Sequence, residues 1–210
     1  MALLDIHSHR QAPYPEGVIS LRDFNTVLME GQCYSAGIHP WDTADIDLDQ
    51  AFSRLEALAA MPRVVAIGEC GIDLAKGAPM FRQLQILKRQ IDLSESLGKP
   101  LVLHCVKSAD ILLGLKRDLN PTQPWIIHGF RGKPQLARQL TDKGFFLSFG
   151  EKFNSDTLLQ MPEDRILAET DESVLSITEI IALLNKATSR DLSSAIVANT
   201  AAVLDINSEP

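Results

Sequence analysis

The chain has few cysteines, an unfavourable balance of positive charge and no long apolar run, and each shortage removes a class of protein. Its three cysteines, Cys33, Cys70 and Cys105, are scattered singly in 210 residues. An odd count without a secretion signal argues against a disulfide framework and for reduced thiols. No window approaches the roughly 18 consecutive apolar residues of a membrane span. The opening Met-Ala-Leu-Leu-Asp-Ile-His has neither a basic segment nor a long apolar one. No signal peptide is therefore expected, and the expected location is the cytoplasm. Lys and Arg number 20 against 27 Asp and Glu, a formal net charge of −7. That balance works against a broad nucleic-acid footprint, which calls for a basic face over many phosphates. A local one stays open, because Lys107, Lys116, Arg117, Arg131, Lys133, Arg138 and Lys143 outnumber Asp110, Asp118 and Asp142 in that stretch. Also missing is a Gly-rich phosphate loop after the first apolar run, where Asp5-Ile-His-Ser-His9 stands instead. This counts against a doubly wound nucleotide-binding sheet.

What is present is an ordinary globular composition, 45% hydrophobic. Disorder and fibrous classes are excluded, and one domain spanning residues 1–210 is expected from the length. Short apolar runs alternate with stretches of helical period, the pattern of a parallel sheet with crossover helices. Strands are expected at 2–6, 17–20, 33–38, 64–68, 100–103, 125–127, 145–148 and 166–169. Their near-continuous apolar character fits burial on both faces. Helices are expected at 46–60, 80–97, 108–119, 134–143, 176–187 and 193–204, with Gly98 stopping the second. Pro13, Pro15 and Gly17 break the first connection, and Arg22 to Met29 allows only a short helix. Eight strands in so short a chain predict a trimmed, distorted (β/α)8 TIM-type barrel, with an open doubly wound sheet as the alternative.

Five of these runs end on metal-capable side chains: Asp5-Ile-His7-Ser-His9, Val64-Val-Ala-Ile-Gly-Glu69, Leu101-Val-Leu-His104, Trp125-Ile-Ile-His128 and Arg165-Ile-Leu-Ala-Glu-Thr-Asp171. Residues two apart on a strand share a face. This parity groups Asp5, His7 and His9, Ile67 with Glu69, Val102 with His104, Ile126 with His128, and Leu167 with Glu169 and Asp171. In a barrel these ends meet at the C-terminal mouth. A single buried histidine is more often a hydrogen-bonded core residue than a ligand. Burying His7, His9, Glu69, His104, His128 and Asp171 together without a metal would be costly. Six such donors exceed one tetrahedral site and point to two divalent ions, with a carboxylate such as Glu69 bridging. Parity turns Ser8, Cys70 and Cys105 away from the mouth, so a side-chain nucleophile is not expected.

The ordered set Asp-x-His-x-His, Gly-Ile-His-Pro-Trp, Ala-Ile-Gly-Glu-x-Gly-x-Asp, Pro-Leu-Val-Leu-His-Cys, Ile-His-Gly-Phe-x-Gly and Leu-x-Glu-Thr-Asp resembles the TatD-type deoxyribonucleases, within the amidohydrolase-like metal-dependent hydrolases. The resemblance runs from Asp5 to about Asp171. It implies a (β/α) barrel, a phosphodiester substrate such as DNA ends or single strands, and two magnesium, manganese or zinc ions. By position it implies that His7 and His9 bind the first metal, Glu69 bridges, and His104 and His128 serve the second. Asp171 would ligate the first metal and handle the proton of the attacking water.

Departures bear on substrate. Val106 stands where many members have arginine, with Lys107 beside it, and Glu172-Ser-Val-Leu175 replaces the usual small residue and Pro-Tyr pair. The stretch from His9 to His39 is short, so a helix flanking the mouth is reduced or absent. His39 would reach a substrate phosphate or serve a structural turn. Lys107 and Arg131 are candidates to bind an anionic group. Glu169 is expected to orient a ligand, Asp5 to support the site without binding metal, and Asp73 to hold a loop or act. The leading expectation is a metal-dependent deoxyribonuclease using metal-activated water, with Glu69 and Asp171 catalytic. Hydrolysis of a small ester, lactone, amide or phosphoester at the same site, and metal binding without catalysis, are the alternatives. No membrane or obligate protein partner is expected.

Overall fold

The computed structural model describes residues 3–205, so the expected strand start at Ala2 lies outside the described residues. Eight strands form a closed barrel in sequence order. They are β1 (Asp5–Ser8), β2 (Gly17–Leu21), β3 (Cys33–Ala36), β4 (Val64–Asp73), β5 (Leu101–Val106), β6 (Trp125–Ile127), β7 (Phe145–Phe149) and β8 (Ile166–Ala168). Every neighbouring pair is parallel, and Asp5 opposite Ala168 closes β1 onto β8. The open doubly wound alternative is thereby excluded. Helices α1 (Leu48–Ala59), α2 (Met80–Leu97), α3 (Ala109–Leu119), α4 (Pro134–Thr141), α5 (Ser155–Gln160), α6 (Ile177–Thr188) and α7 (Ser193–Val203) follow the later strands. Among the described residues no helix follows β1 or β2, which is the expected trimming, and no helix is long and apolar enough to cross a membrane.

Local chemistry sets the helix ends. Asp47 accepts the Gln50 N–H at 3.1 Å to start α1, Gly98 in the left-handed conformation ends α2, and Ser176 with Glu179 forms a capping box on α6. Two expectations are corrected here. Arg22 to Met29 forms no helix, because Asp23 accepts the Asn25 N–H at 2.9 Å and draws the chain into turns. The unexpected α5 is started by Asn154, which accepts the Thr157 N–H at 3.1 Å.

The barrel separates two cores. Outside it, Ile67, Leu101, Leu103, Ile127 and Leu147 pack against Leu55, Ile86, Leu112, Leu140 and Ile180 of the helices. Inside it, every strand contributes to one layer, through Ile6, Val18, Cys33, Ala66 with Val65, Val102, Ile126, Phe146 and Leu167. Val203 and Leu204 join Leu3 against this layer and close the N-terminal foot of the barrel.

The sheet has three register slips, one of them where Tyr34 stands opposite Val64 but Ser35 opposite Ala66, and the other two redirect the side chains of the centre. Ile67 stands opposite Leu101 but Cys70 opposite Leu103, so β4 carries one extra residue there. Ile67 therefore packs outward while Glu69 reaches the mouth, which overturns their expected shared face. β4 also runs on to Asp73, so Glu69 lies within the strand and not at its end. A like slip places Asp5 opposite Gly17 and Ser8 opposite Ile19. Ile6 then enters the interior layer, and Asp5 no longer projects with His7 and His9.

Leu167 is fully buried in the interior layer. Leu167→Ala is expected to cost about 2–5 kcal/mol, the range for leucine truncation in a rigid core. It should appear as a lower urea midpoint at an unchanged m-value.

Candidate metal centre

The mouth side chains arrive from six strand ends and are positioned by backbone features. Glu69 follows Gly68, whose φ of +146° suits glycine and whose absent Cβ would lie 2.5 Å from the Val102 carbonyl oxygen. Gly68 thus lets β4 press against β5 where the carboxylate turns inward. Asp171 lies beyond the end of β8 with φ 51°, a conformation costing about 1–2 kcal/mol in a non-glycine residue. It is held there because its N–H donates to the His7 carbonyl at 3.0 Å and its own carbonyl accepts from His9 at 3.0 Å. Strand parity does not place Asp171; this bridge to β1 does.

The centre is organised about the two oxygens of Glu69. Oε2 lies 3.4 Å from His7 Nε2 and 3.5 Å from His9 Nε2. Asp171 Oδ1 lies 3.8 and 3.6 Å from the same two nitrogens. Oε1 faces the other way, 2.7 Å from His104 Nδ1, 2.8 Å from His128 Nε2 and 3.0 Å from His39 Nε2. All six residues expected as ligands are therefore brought together, and His39 joins them.

Burial alone would push the Glu69 carboxyl up, but hydrogen bonds with His104, His128 and His39 outweigh it and hold it far below the carboxylate range. Glu69 is thus ionised. His39 is pushed down by burial, against the pull of Glu69. Its Nδ1 accepts the Trp41 N–H at 3.1 Å, so the neutral ring carries its proton on Nε2 and donates it to Glu69. His39 both caps the turn Pro40–Asp42 and reaches the centre, so its two expected roles are compatible. The proton on Nε2 suits it to donate a hydrogen bond and not to bind a metal.

Behind these side chains stand further polar groups. Asp5 is fully buried and accepts from Thr170 Oγ1 at 2.6 Å, the Thr170 N–H at 3.0 Å and Tyr14 Oη at 3.0 Å. Burial pushes its carboxyl up to about 7 despite those bonds. Glu169 accepts the Gly129 N–H at 2.6 Å and lies 3.7 Å from His128 Nδ1. Asp73 both holds its loop, accepting from Ala75 and Lys76, and meets His104 Nε2 at 3.2 Å. Trp41, which only a short motif marked, donates its indole N–H to Asp73 at 2.7 Å and is 39% exposed at the mouth. Lys107 and Arg131 are exposed on the wall of a cavity of about 750 Å³ that also reaches His104, His128 and Asp171. Ser8 bonds Thr170 Oγ1 at 2.8 Å, away from the centre.

The residues fit divalent ions. Donor separations of 3.4–3.8 Å around His7, His9, Glu69 and Asp171 exceed hydrogen-bond lengths. They approximate the edges, about 3.4 Å, of a tetrahedron with bonds of about 2.1 Å. Both ring nitrogens of fully buried His7 lack a hydrogen-bond partner, which normally costs about 1–3 kcal/mol per group. A cation on Nε2 would relieve one of them. Three groups of potential ligands overlap here, namely His7, His9 and Glu69; His7, His128 and Asp171; and His39, Glu69 and His104.

Comparison with known proteins identifies the family and the fold. Residues 24–205 match the family model described as TatD related DNase. A 3'-5' ssDNA/RNA exonuclease, TatD of Cronobacter turicensis, is 33% identical over 160 residues, covering 68% of this chain and 58% of that one. YabD of Bacillus subtilis, an uncharacterized metal-dependent hydrolase, is 31% identical over 144 residues, covering 64% of this chain and 56% of the other. The chain thus spans less than two thirds of the length of these curated relatives. The crystal structure of the Escherichia coli TatD homolog YjjV shares the fold, with a TM-score of 0.80 at 17% identity over 97% of this chain and 98% of that one. A TatD family hydrolase from Entamoeba histolytica gives 0.78 at 16% identity, with the same coverage.

Manganese or zinc added to chelator-treated protein is expected to raise the thermal midpoint. Ligand at 100 times its Kd contributes about 2.7 kcal/mol. Glu69→Ala should lose this increment in a scanning fluorimetry titration. Gly68→Ala, which crowds β5, should lose both the increment and some stability of the metal-free fold.

Proposed function

The chain belongs to the TatD-related DNase family, and from that premise we propose that it is a deoxyribonuclease that hydrolyses phosphodiester bonds at DNA ends or in single strands. One observation carries this reading: the two oxygens of a single buried carboxylate, Glu69, face two separate sets of metal-capable donors. His7, His9 and Asp171 would hold one divalent ion with Oε2, and His104 and His128 a second with Oε1. Magnesium, manganese and zinc suit the mixed imidazole and carboxylate set. Such ions lower the pKa of water and neutralise charge on phosphoryl oxygens.

The chain's own groups supply the remainder. Asp171 is partly exposed at the mouth, beside His7 and His9, where its carboxylate takes the proton of an attacking water. Its left-handed backbone, tied to β1, fixes that carboxylate without a flexible loop. His39 donates through Nε2 to Glu69 and so stabilises the bridging carboxylate in its ionised form. Lys107 and Arg131 provide positive charge on the cavity wall for the substrate backbone. Glu169 behind His128 and Asp73 behind His104 orient the two rings. Asp5 supports β1 through Thr170.

Water is the nucleophile in this scheme. Ser8 points away from the centre, Cys70 is buried in the outer core, and burial pushes the Cys105 thiol up. The three unpaired cysteines suit a reducing compartment, the cytoplasm.

With a labelled single-stranded oligonucleotide and metal restored after chelation, Asp171→Asn is expected to lower kcat by about 10²–10⁴, the usual contribution of a general base. Glu69→Gln should abolish turnover, and both variants should keep the circular dichroism of the parent. Full activity in either would overturn the assignment.

A further inference from the structure

The cavity of about 750 Å³ beside the centre has two unlike ends. One reaches Trp41, His104, His128 and Asp171. The other is lined by Cys105 of β5, Ile127 of β6, Phe130, and Leu136 and Leu140 of α4. Cleaving a charged diester needs no apolar chamber, yet this one is continuous with the catalytic mouth. Its size lies in the range of preformed small-molecule sites, about 300–1,000 Å³.

Three details give the chamber its shape. Phe130 is held edge-on to Phe149, with ring centroids 6.0 Å apart at 82°. Gly132 keeps the wall thin, since a Cβ there would lie 2.6 Å from Phe130 Cζ and 3.2 Å from Leu136 Cδ2. Val106 lines the same cavity; an arginine in its place would put a long cation on that wall. Charge is arranged differently from apolar surface: Lys107 and Arg131 are the exposed cations among the lining residues, with Asp110 as an exposed acid and Asp171 at the mouth.

Two exposed cations, Lys107 and Arg131, beside an apolar recess match one substrate fragment: a phosphate joined to a flat, largely apolar ring. We propose that this wing receives the base of the nucleotide next to the scissile phosphodiester, with Phe130 and Leu136 as its wall and Lys107 and Arg131 on the adjoining phosphates. The assignment rests on the nuclease reading and deepens it. Contact through the faces of a base is sequence-tolerant and is worth about tenfold or more per base in affinity. A base-bearing end is therefore preferred over one lacking a base, with little choice among the four bases.

The test uses full-length, metal-loaded protein and two single-stranded oligonucleotides differing only in whether the terminal nucleotide carries its base. The parent should show a kcat/KM about tenfold or more higher on the base-bearing end. Leu136→Trp, which fills the chamber, should lose that advantage, its kcat/KM falling about tenfold or more on the base-bearing end and far less on the abasic one. Equal rates of the parent on both ends, or an equal fall on both in Leu136→Trp, would overturn the proposal. Calorimetric binding of deoxyadenosine monophosphate against deoxyribose 5-phosphate gives a readout without turnover. Tighter binding of the nucleotide by the parent, weakened in Leu136→Trp and Leu136→Ala, supports the chamber even if no DNA is cleaved, in which case the nuclease reading fails alone. Equal binding of the two compounds overturns the chamber whatever the cleavage result.

Discussion

Burying one ionised carboxylate among five histidines is the constraint around which the upper half of this barrel is built. An isolated carboxylate in the interior would take up a proton, because desolvation penalises its charge. At Glu69 the opposing imidazoles prevail, and they come from β1, β3, β5 and β6 or the residues just beyond these strands. No local segment could assemble them. The closed barrel supplies the convergence, and the packing of Ile6, Val102, Ile126 and Leu167 beneath it holds the strands at the required spacing. Each buried aliphatic side chain of that layer contributes roughly 1.5–3 kcal/mol, which helps the fold tolerate a polar cluster above it.

Irregularities of the sheet serve the same end. A uniform β4 would place Ile67 and Glu69 on one face, leaving a large aliphatic side chain in the layer directly below the carboxylate. The extra residue between Ile67 and Cys70 sends Ile67 to the outer core and leaves the smaller Ala66 inside. The slip in β1 likewise separates Asp5, which binds Thr170, from His7, which faces Glu69. Bulges commonly re-aim a side chain beside a functional site, and here both lie within the strands that carry the centre.

The barrel and the six central side chains were legible in the sequence because each depends on one run of residues. Apolar stretches announce buried parallel strands, and a histidine or carboxylate ending such a stretch faces a barrel mouth. What escaped depends on contacts between distant segments. The slips in β1 and β4 arise from pairing with β2 and β5, which parity along one strand cannot register. Asp171 reaches the mouth through a left-handed backbone bridged to His7 and His9, although the sequence suggested a simple continuation of β8. Trp41 matters because it donates to Asp73, which meets His104; Asp73 itself was expected to hold a loop or act, and it holds the loop while contacting His104. α5 carried a local signal in Asn154, but its six residues are too short for apolar periodicity to stand out.

The residues that bear on substrate differ physically from those that hold the centre. His7, Glu69 and His39 are buried and fixed by several partners, whereas Lys107, Arg131 and Glu172 are exposed on connections beyond the strands. Changing an exposed side chain seldom costs more than about 0.5 kcal/mol, while unpairing a buried polar group costs several times that. Variation can therefore collect at the rim while the buried centre stays intact. The break comes at the end of β5: His104 still contacts Glu69, Val106 lines the cavity wall, and Lys107 turns the chain toward α3 with φ 55°. Three residues beyond His104, the packing demands of the buried centre have ended and the chain is free to vary at the rim.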